Sequence, residues 1–480
     1  MHALLSEFES VVERQPRRLA VGDQSLMLDY ASFRAVAAGL AESIAQQSEA
    51  PRVGVLAPTS AACAAAIFAC WYAGRTPVPL NFLLAPHELS NVMRDAGLDL
   101  VVTIEHFAPA VQAAGLRTLL LSGRSLIPGK RDAPRAERCD TAVVIYTSGT
   151  SAEPKGVCLS FDNLLSNAHR SIEHARMTPD QVFLGVIPQF HSFGFTALTV
   201  LPLVLGATVW YLPRFSPVAV VNMIHEKQAT IFVAVASMFT ALARMKQPDR
   251  GALASLKLAI SGGEPLPQRT AELFEQNFRV AIHEGYGLTE TSPIVSINVP
   301  WAARPGSVGR PLADVAVTAV DAAGNTLAAG RTGELVVRGP CVMQGYLNKP
   351  AETAAVLRDG ALFTGDLGHV DEGGFVYITG RAKEMLIIGG ENVFPREIEN
   401  VLHEHPAVSE AAVIGAPDAL RGEVPAAFVI LREGSTATEQ ELRDFCRQRL
   451  AGYKAPRDIR IATELPRGPT GKILKRALRL

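Results

Sequence analysis

The ten residues 147–156 bring together small hydroxyl side chains, two glycines and one lysine between two apolar runs. Glycine lets the backbone approach an anion, hydroxyl and N–H groups donate hydrogen bonds to phosphate oxygens, and Lys155 supplies a positive charge. The stretch is not a Walker loop, because Lys155 follows proline rather than glycine and is not followed by Ser or Thr. These residues therefore predict a phosphate-binding loop, with a polar hairpin turn as the alternative.

Two more glycine-rich turns follow apolar runs that indicate strands. Residues 256–260 lead into the turn at 261–267, and residues 280–284 lead into the turn at 285–291. In open α/β sheets, ligands bind beyond the carboxyl ends of the strands. We therefore expect these turns to form the rim of a ligand pocket.

The elements that would position these turns alternate between apolar strands and amphipathic helices, over 17–140 and again after the phosphate loop. Such alternation is typical of a mostly parallel sheet covered by helices on both faces. From about Gly306, short β-rich runs predict a small antiparallel β subdomain. The predicted fold is α/β. A large N-terminal domain at 1–380 would contain two mostly parallel, helix-covered sheets and the small β subdomain, and a mobile C-terminal α+β domain would follow at 381–480.

A chain of 480 residues is too long for a single core, and its 48% hydrophobic and 19% charged residues suit a globular enzyme. The net charge of −1 gives no reason to expect nucleic acid or an anionic membrane as a partner. The six scattered cysteines, without a CxxC pair, suit a reducing compartment and argue against a metal site. Prolines and glycines in the uncharged stretch 181–213 favour strand–helix–strand over a transmembrane segment, and the acidic N-terminus is unlike a signal peptide. We therefore expect a cytoplasmic protein.

Five stretches, taken together and in order, carry a resemblance to a known family: 147–156, 286–291, 364–368, 380–384 and 469–473. They are TSGTSAEPKG, YGLTET, TGDLG, GRAKE and PTGKI. The chain resembles the adenylate-forming superfamily, which contains acyl-CoA synthetases, firefly luciferase and the adenylation domains of peptide synthetases. It departs from the family pattern at 151–152, where Thr-Gly is common, and at Ala236, where proline is common.

The resemblance implies a two-step reaction with ATP, Mg²⁺ and coenzyme A as cofactors. A carboxylate attacks the α-phosphate of ATP to give acyl-adenylate and pyrophosphate, and a thiol, usually that of coenzyme A, then displaces AMP. The first step brings two anions together, so it depends on positioning and on positive charge around the reacting phosphate.

The resemblance also implies roles in nucleotide binding. Glu290 would bind Mg²⁺, because a hard carboxylate suits a hard cation, and Thr289 would donate to the α-phosphate. Asp366 would accept hydrogen bonds from both ribose hydroxyls, and Arg381 would lie near the ribose and phosphate unless it is simply a surface arginine. The β- and γ-phosphates would be held by the loop of Thr147, Ser148, Gly149, Thr150 and Lys155. Further cofactor contacts would come from Gly262, Gly263 and Glu264 at the adenine, with an ordinary β-turn as the alternative, and from Tyr286 and Gly287.

The resemblance implies that the C-terminal domain serves both half-reactions by rotating. Lys472 would reach the reacting carboxylate and the α-phosphate during adenylation. Lys383 matches the family hinge, and residues 389–391, with Gly390 among them, would then enter the site and border the channel of the thiol. The alternative for Lys472 is a solvated tail charge, since four other basic residues surround it: Arg467, Lys475, Arg476 and Arg479.

The acid is predicted to be apolar. No acidic residue is an obvious partner for the ammonium group of an amino acid, whereas 232–239 and the uncharged 185–213 suggest an apolar acyl pocket. His191 belongs to a segment, 190–194, that is similar to one in fatty-acyl-activating members, where the histidine lies near the acyl carboxylate. A hydrogen-bonded core histidine is the alternative. We expect a medium- or long-chain fatty acid, with an aryl acid as the second choice.

Two other functions stay open at this point. One is an acyl-adenylating enzyme that loads an acyl carrier protein or stops at the adenylate, since the sequence barely constrains the thiol acceptor. The other is a non-catalytic nucleotide-binding protein on this fold. The presence of Lys472, Glu290 and Asp366 counts against the second.

Overall fold

The computed structural model describes residues 2–122, 126, 140–147, 154–246, 248–388, 391–418, 422–467 and 473–479. Its α-helices are α1 Ala3–Arg14, α2 Tyr30–Gln47, α3 Ala61–Tyr72, α4 Pro86–Asp95, α5 Ala108–Ala113, α6 Phe161–His174, α7 Ser192–Phe195, α8 Leu201–Leu205, α9 Pro217–Lys227, α10 Ala236–Ala243, α11 Gln268–Phe278, α12 Pro350–Val356, α13 Pro395–Glu404 and α14 Glu439–Arg447. A π-helical segment, Thr196–Val200, joins α7 to α8. Across the described ranges, every helix is too short or too polar to span a bilayer.

The chain folds as two compact units. The first contains Met1–Gly263, Phe274–Ala316 and Val337–Leu362, and the second contains Glu264–Leu273, Val317–Val336 and Phe363–Leu480. Most of the predicted β subdomain therefore groups with the C-terminal residues. The functional domain boundary at 380 and 381 stays a prediction.

The chain up to Pro311 contains the strands β1 Leu19–Gly22, β2 Met27–Asp29, β3 Arg52–Leu56, β4 Thr76–Pro79, β5 Leu100–Thr103, β6 Arg117–Leu120, β7 Thr141–Thr147, β8 Lys155–Ser160, β9 Val182–Gly185, β10 Thr208–Tyr211, β11 Ile231–Ala234, β12 Leu258–Ser261, β13 Ile282–Gly287, β14 Ile294–Ile297 and β15 Arg310–Pro311. A nine-stranded sheet has the order β15-β14-β13-β12-β11-β9-β10-β1-β2, and its six strands from β13 to β1 are parallel. A second sheet, β4-β3-β5-β6, is parallel throughout. The prediction of two mostly parallel sheets is confirmed.

Local sequence explains why these elements form and where they lie. Strands β10, β11 and β12 are buried along their whole length, as expected for strands covered on both faces. Helix α3 is apolar on all sides and nearly all buried, and its first turn is capped by Ser60, whose hydroxyl accepts from the N–H of Cys63 at 3.1 Å. Helix α6 begins with a capping box between Ser160 and Asn163.

The remaining strands are β16 Ala316–Val320, β17 Gly333–Arg338, β18 Gly345–Tyr346, β19 Leu357–Arg358, β20 Ala361–Val370, β21 Val376–Arg381, β22 Leu386–Ile388, β23 Glu391–Val393, β24 Val408–Asp418, β25 Gly422–Leu431 and β26 Asp458–Ile461. Strand β18 joins the β7–β8 hairpin in an antiparallel sheet. Strands β16, β17, β20, β19 and β21 form one five-stranded sheet, and β23, β22, β25, β24 and β26 form another. Helices α13 and α14 pack on the latter through a core that includes Ile398, Leu402, Val429 and Leu442.

Candidate active site

Thr289 and Glu290 lie in a 3₁₀ turn that directly follows β13. Buried polar groups hold this turn in place. The Thr291 hydroxyl donates to the carbonyl of Pro293 at 2.7 Å. The amide of Asn167, on α6, donates to the carbonyl of Ile294 at 2.7 Å and accepts from its N–H at 3.3 Å. Because these groups are buried and paired, displacing the turn would leave polar atoms without partners in the core.

The carboxylate of Glu290 is bound on one side by a phenol. Tyr346 Oη donates to Glu290 Oε1 at 2.8 Å, and the ammonium of Lys155 lies 5.0 Å from the centroid of the Tyr346 ring. Burial, together with the charge of Glu290 and this hydrogen bond, raises the pKa of Tyr346 far above its ordinary value, so the phenol keeps its proton. Within the described ranges, no group donates a hydrogen bond to Glu290 Oε2.

The surroundings of Glu290 fit a magnesium ion that arrives with a nucleotide. Mg²⁺ in such sites is bound through one or two carboxylates plus substrate phosphates and water, not by a protein cage. Over the part of the chain that the structure describes, no group of three His, Cys, Asp or Glu side chains is arranged to hold a metal. Glu290 supplies one half-buried carboxylate with an oxygen available to a cation.

Two residues of the predicted phosphate loop lie at its ends. Thr147 ends β7 and Lys155 begins β8, and the two are opposite each other in the antiparallel ladder. The two ends of the predicted loop are therefore held side by side by the β7–β8 ladder, and the phosphate-loop and hairpin interpretations both stay predictions. Ser148, Gly149 and Thr150 lie outside the described residues.

The predicted acyl segment contacts two of the predicted nucleotide motifs, the turn after β13 and the turn after β12. Ser192 Oγ lies 3.1 Å from Thr289 Oγ1. The ring of Phe193 packs on the backbone of Gly262, where a Cβ atom would lie 3.0 Å from it. His191 Nδ1 accepts from the N–H of Phe193 at 3.2 Å, so one ring nitrogen already has a backbone partner.

The turn predicted to hold adenine follows β12. Gly262 is buried, and its N–H donates to the carbonyl of Ala234 at 3.2 Å. Gly263 has φ +79°, a backbone conformation that favours glycine. Glu264 is half-buried and falls in the second unit. The neighbouring strand β13 carries Tyr286 and Gly287, both half-buried, so the carboxyl ends of β12 and β13 bear motif residues side by side.

In the second unit, Asp366 and Arg381 form an ion pair across β20 and β21. The distance from Arg381 Nε to Asp366 Oδ1 is 2.9 Å, and the two side chains are 55% and 5% exposed. The N–H of Asp366 donates to Thr364 Oγ1 at 3.1 Å. Arg381 is therefore half exposed, but it is tied to the carboxylate predicted to bind ribose.

Two of the basic neighbours of Lys472 form ion pairs. Lys475 Nζ lies 2.8 Å from carboxylate oxygens of both Glu384 and Glu399, and Arg467 forms an ion pair with Glu410. Burial lowers the pKa of Lys475, but the charges of Glu399 and Glu384 outweigh it and the pKa is raised. Lys475 is therefore a half-buried, paired cation, whereas Arg467 is paired at an exposed position. Lys472 itself and Gly390 lie outside the described residues.

Tyr346 and Asn167 are residues that the sequence analysis missed. Neither belongs to the five motif stretches, and each acts through a partner far away in sequence: 56 residues for Tyr346 and Glu290, and 127 for Asn167 and Ile294. The sequence signal for Asn167 is a row of polar residues at four-residue spacing, Asn163, Asn167 and Ser171, on the buried side of α6.

Comparison with known proteins identifies the class. Residues 8–347 match the AMP-binding enzyme family, and residues 397–472 match the AMP-binding enzyme C-terminal domain. The chain therefore belongs to the AMP-binding enzyme family, in agreement with the resemblance that the five motifs carry.

Its relatives act on several kinds of acid. The chain is 35% identical to a long-chain-fatty-acid–CoA ligase of Bacillus subtilis, over 89% of this chain and 85% of that protein. It is 34% identical to a feruloyl-CoA synthase of an Amycolatopsis species, over 97% and 96%. The solved structure of o-succinylbenzoate CoA synthetase from Bacillus subtilis with its acyl-adenylate intermediate superposes with a TM-score of 0.90 at 30% identity, over 98% and 97%. The same enzyme has been solved with ATP and a magnesium ion, with a TM-score of 0.89 and 98% of each chain covered.

Proposed function

We propose that this protein is an AMP-forming ligase that activates a carboxylic acid with ATP and Mg²⁺ and transfers the acyl group to coenzyme A. The observation that carries the proposal is the hydrogen bond between Ser192 and Thr289. It joins the segment predicted to meet the acid to the residue predicted to meet the α-phosphate. Adenylation requires the carboxylate and the α-phosphate to be brought together in this way.

In the first half-reaction the residues of the first unit bind and orient ATP. Lys155 and Thr147, at the two ends of the phosphate loop, attract the β- and γ-phosphates, and Thr289 donates to the α-phosphate. Glu290 holds Mg²⁺, which neutralises charge on the phosphates when it is bound. Lys472 then stabilises the negative charge that concentrates where the carboxylate attacks.

In the second half-reaction the C-terminal domain rotates about the hinge at Lys383. Lys383 lies in the 3₁₀ turn Ala382–Glu384, directly after the strand that ends with Arg381. A short turn between a strand and a separate sheet is a place where a few torsion angles can redirect a domain. Residues 389–391 then border the channel of the thiol, while Asp366 keeps hold of the ribose.

The acid that we propose is a medium- or long-chain fatty acid. The stretch between Asp180 and Arg214 has no charged side chain, and its helices α7 and α8 and the π-helical segment are almost wholly buried. Uncharged, apolar elements of this kind suit contact with an alkyl chain. An aryl acid is the alternative, because a feruloyl-CoA synthase matches nearly the whole chain.

A panel of acids tests this proposal. Pyrophosphate release is measured with ATP, Mg²⁺ and saturated fatty acids of graded length, and then with cinnamic and benzoic acids, each with coenzyme A or with an acyl carrier protein bearing its phosphopantetheine arm. We expect the highest kcat/KM for a fatty acid with coenzyme A. Preference for an aryl acid would replace the substrate proposal, and preference for the carrier protein would replace the acceptor. Absence of acid-dependent pyrophosphate release with every acid would contradict the activity itself.

A further inference from the structure

Tyr346 makes contacts with two groups that the proposed function uses separately. Its hydroxyl donates to the carboxylate of Glu290 at 2.8 Å, and its ring face lies 5.0 Å from the ammonium of Lys155. The described structure holds no ion pair between Lys155 and Glu290, although the two have opposite charges and share this tyrosine. A direct pair would neutralise both and leave neither for a ligand.

The backbone around Tyr346 is held firmly. Its N–H donates to Thr353 Oγ1 at 2.9 Å, and β18 pairs with β8 so that Tyr346 is opposite Val157. The N–H of Leu347 donates to the carbonyl of Gly156 at 2.7 Å. The phenol is therefore presented from a fixed strand attached to β8, which begins with Lys155.

The segment around Tyr346 also forms a hydrogen bond with the backbone of Glu290. The N–H of Met343 donates to the carbonyl of Glu290 at 2.9 Å, three residues before Tyr346 donates to its side chain. Residues 343–346 therefore fix both the backbone carbonyl and the side-chain carboxylate of Glu290. A carboxylate with one oxygen fixed by a donor has its second oxygen oriented as well, because the group is planar.

We propose that Tyr346 is the positioning residue of the metal and phosphate site. Its hydroxyl orients the Glu290 carboxylate for Mg²⁺, and its ring holds the Lys155 ammonium apart from that carboxylate and available to phosphate. Partners that orient metal ligands in this way change metal affinity or activity by about 10- to 100-fold when they are removed. This inference rests on the proposed function, because it takes Glu290 as the magnesium ligand.

Two substitutions at Tyr346 separate its two contacts. Tyr346→Phe removes the hydroxyl and keeps the ring, so we expect the Mg²⁺ concentration that half-saturates pyrophosphate release to rise about 10- to 100-fold, with the rate recovering at high Mg²⁺. ATP binding without metal, measured by calorimetry, should stay at the parent value. Tyr346→Leu also removes the ring, so metal-free ATP binding should weaken as well. Binding of Mn²⁺ to the protein–ATP complex, followed by electron paramagnetic resonance, gives a readout that does not depend on turnover.

Tyr377→Phe is the matched control. Tyr377 is half-buried and donates to a carboxylate, Asp371 Oδ2, at 3.3 Å, but both residues lie in the second unit. The same chemical change there should leave the Mg²⁺ dependence at the parent value. Thermal unfolding midpoints of all variants show whether any loss reflects folding.

The outcomes distinguish this inference from the proposed function. If Glu290→Gln abolishes Mg²⁺-dependent ATP binding while Tyr346→Phe leaves it unchanged, the positioning role is wrong and the metal assignment stands. If Glu290→Gln itself leaves Mg²⁺-dependent binding and pyrophosphate release near normal, the metal assignment fails first. A Tyr346→Phe enzyme whose activity is lost and is not restored by high Mg²⁺ also overturns the inference, since a purely structural defect gives that result.

Discussion

Adenylation brings two negatively charged groups together, so single cationic side chains should have large and step-specific effects. In the first unit, residues predicted to meet the acid and the nucleotide contact one another, as Ser192 does with Thr289, and Tyr346 contacts Glu290. The cation expected to meet the attacking carboxylate, Lys472, comes from the far end of the chain. Its effect should therefore depend on which half-reaction is measured.

Lys472→Ala should abolish the first half-reaction and spare the second. Loss of a charged donor at the point where charge concentrates should slow adenylation about 10²- to 10³-fold, by analogy with the loss of an oxyanion-hole donor. The variant should still convert synthetic acyl-adenylate and coenzyme A to thioester at close to the parent rate. Both steps are followed separately, by pyrophosphate release and by thioester formation.

Arg476→Ala is the control for this test, because Arg476 is an exposed basic residue four positions further on. It should leave both half-reactions unchanged. Normal adenylation by Lys472→Ala would show that Lys472 is only a solvated charge. Loss of both steps in a folded Lys472→Ala protein would contradict the alternation of the C-terminal domain.

At the scale of elements, the shape of the turn after β13 determines where two side chains predicted to bind the nucleotide and its metal lie. Gly287, the last residue of β13, lies against the chain that returns from this turn, and a Cβ atom there would be 1.9 Å from the carbonyl oxygen of Pro293. The turn between them carries Thr289 and Glu290. Its shape therefore depends on the absence of a side chain at one position.

Gly287→Ala should displace the turn and impair both stability and adenylation. Overpacking of a close backbone contact costs about 1–3 kcal/mol, and the displaced Thr289 and Glu290 should lower the adenylation rate more than the thioester step. Gly452→Ala is the matched control, since a Cβ atom there has no neighbour within 4 Å. Urea unfolding measures the stability of both variants, and the two half-reaction assays measure their adenylation and thioester-formation rates. Parent-like stability and adenylation in Gly287→Ala would mean that the turn tolerates the shift.

At the scale of the whole molecule, the proposed mechanism requires one domain to serve two steps. Lys472 and residues 389–391 fall in the same predicted C-terminal domain, yet the first is proposed to serve adenylation and the second thioester formation. The torsion angles that change between the two states are expected at Lys383, within the turn Ala382–Glu384.

Lys383→Pro should slow thioester formation more than adenylation. Proline restricts the backbone torsion φ to a narrow range and should therefore hinder rotation into the second state. Lys383→Ala, which removes the side chain and keeps backbone freedom, should affect the two steps much less. Equal losses in both half-reactions of Lys383→Pro would indicate general damage instead of a blocked hinge.

The amino-acid sequence was sufficient to predict the elements and the motifs that end them. The run 256–260 and the turn after it predicted β12 and its glycine turn. These features are local, because apolar periodicity, capping residues and glycine turns act within a few positions of the chain. The class of enzyme also followed from local motifs, since each motif is a short stretch that is recognised without knowledge of its tertiary partners.

The tertiary structure alone decided which strands are neighbours and which partners the site residues have. Strand β1, near the N-terminus, lies beside β10, and nothing in either apolar run specifies that pairing. Tyr346 meets Glu290 across 56 residues, and Lys475 meets Glu384 across 91, and neither pairing was predicted from the sequence. Such pairs depend on the packing of the whole chain. Buried strands of similar composition cannot be told apart by their local sequence, so their neighbours are set by the fold. A polar side chain gains a fixed protein partner only when burial removes water as the alternative partner.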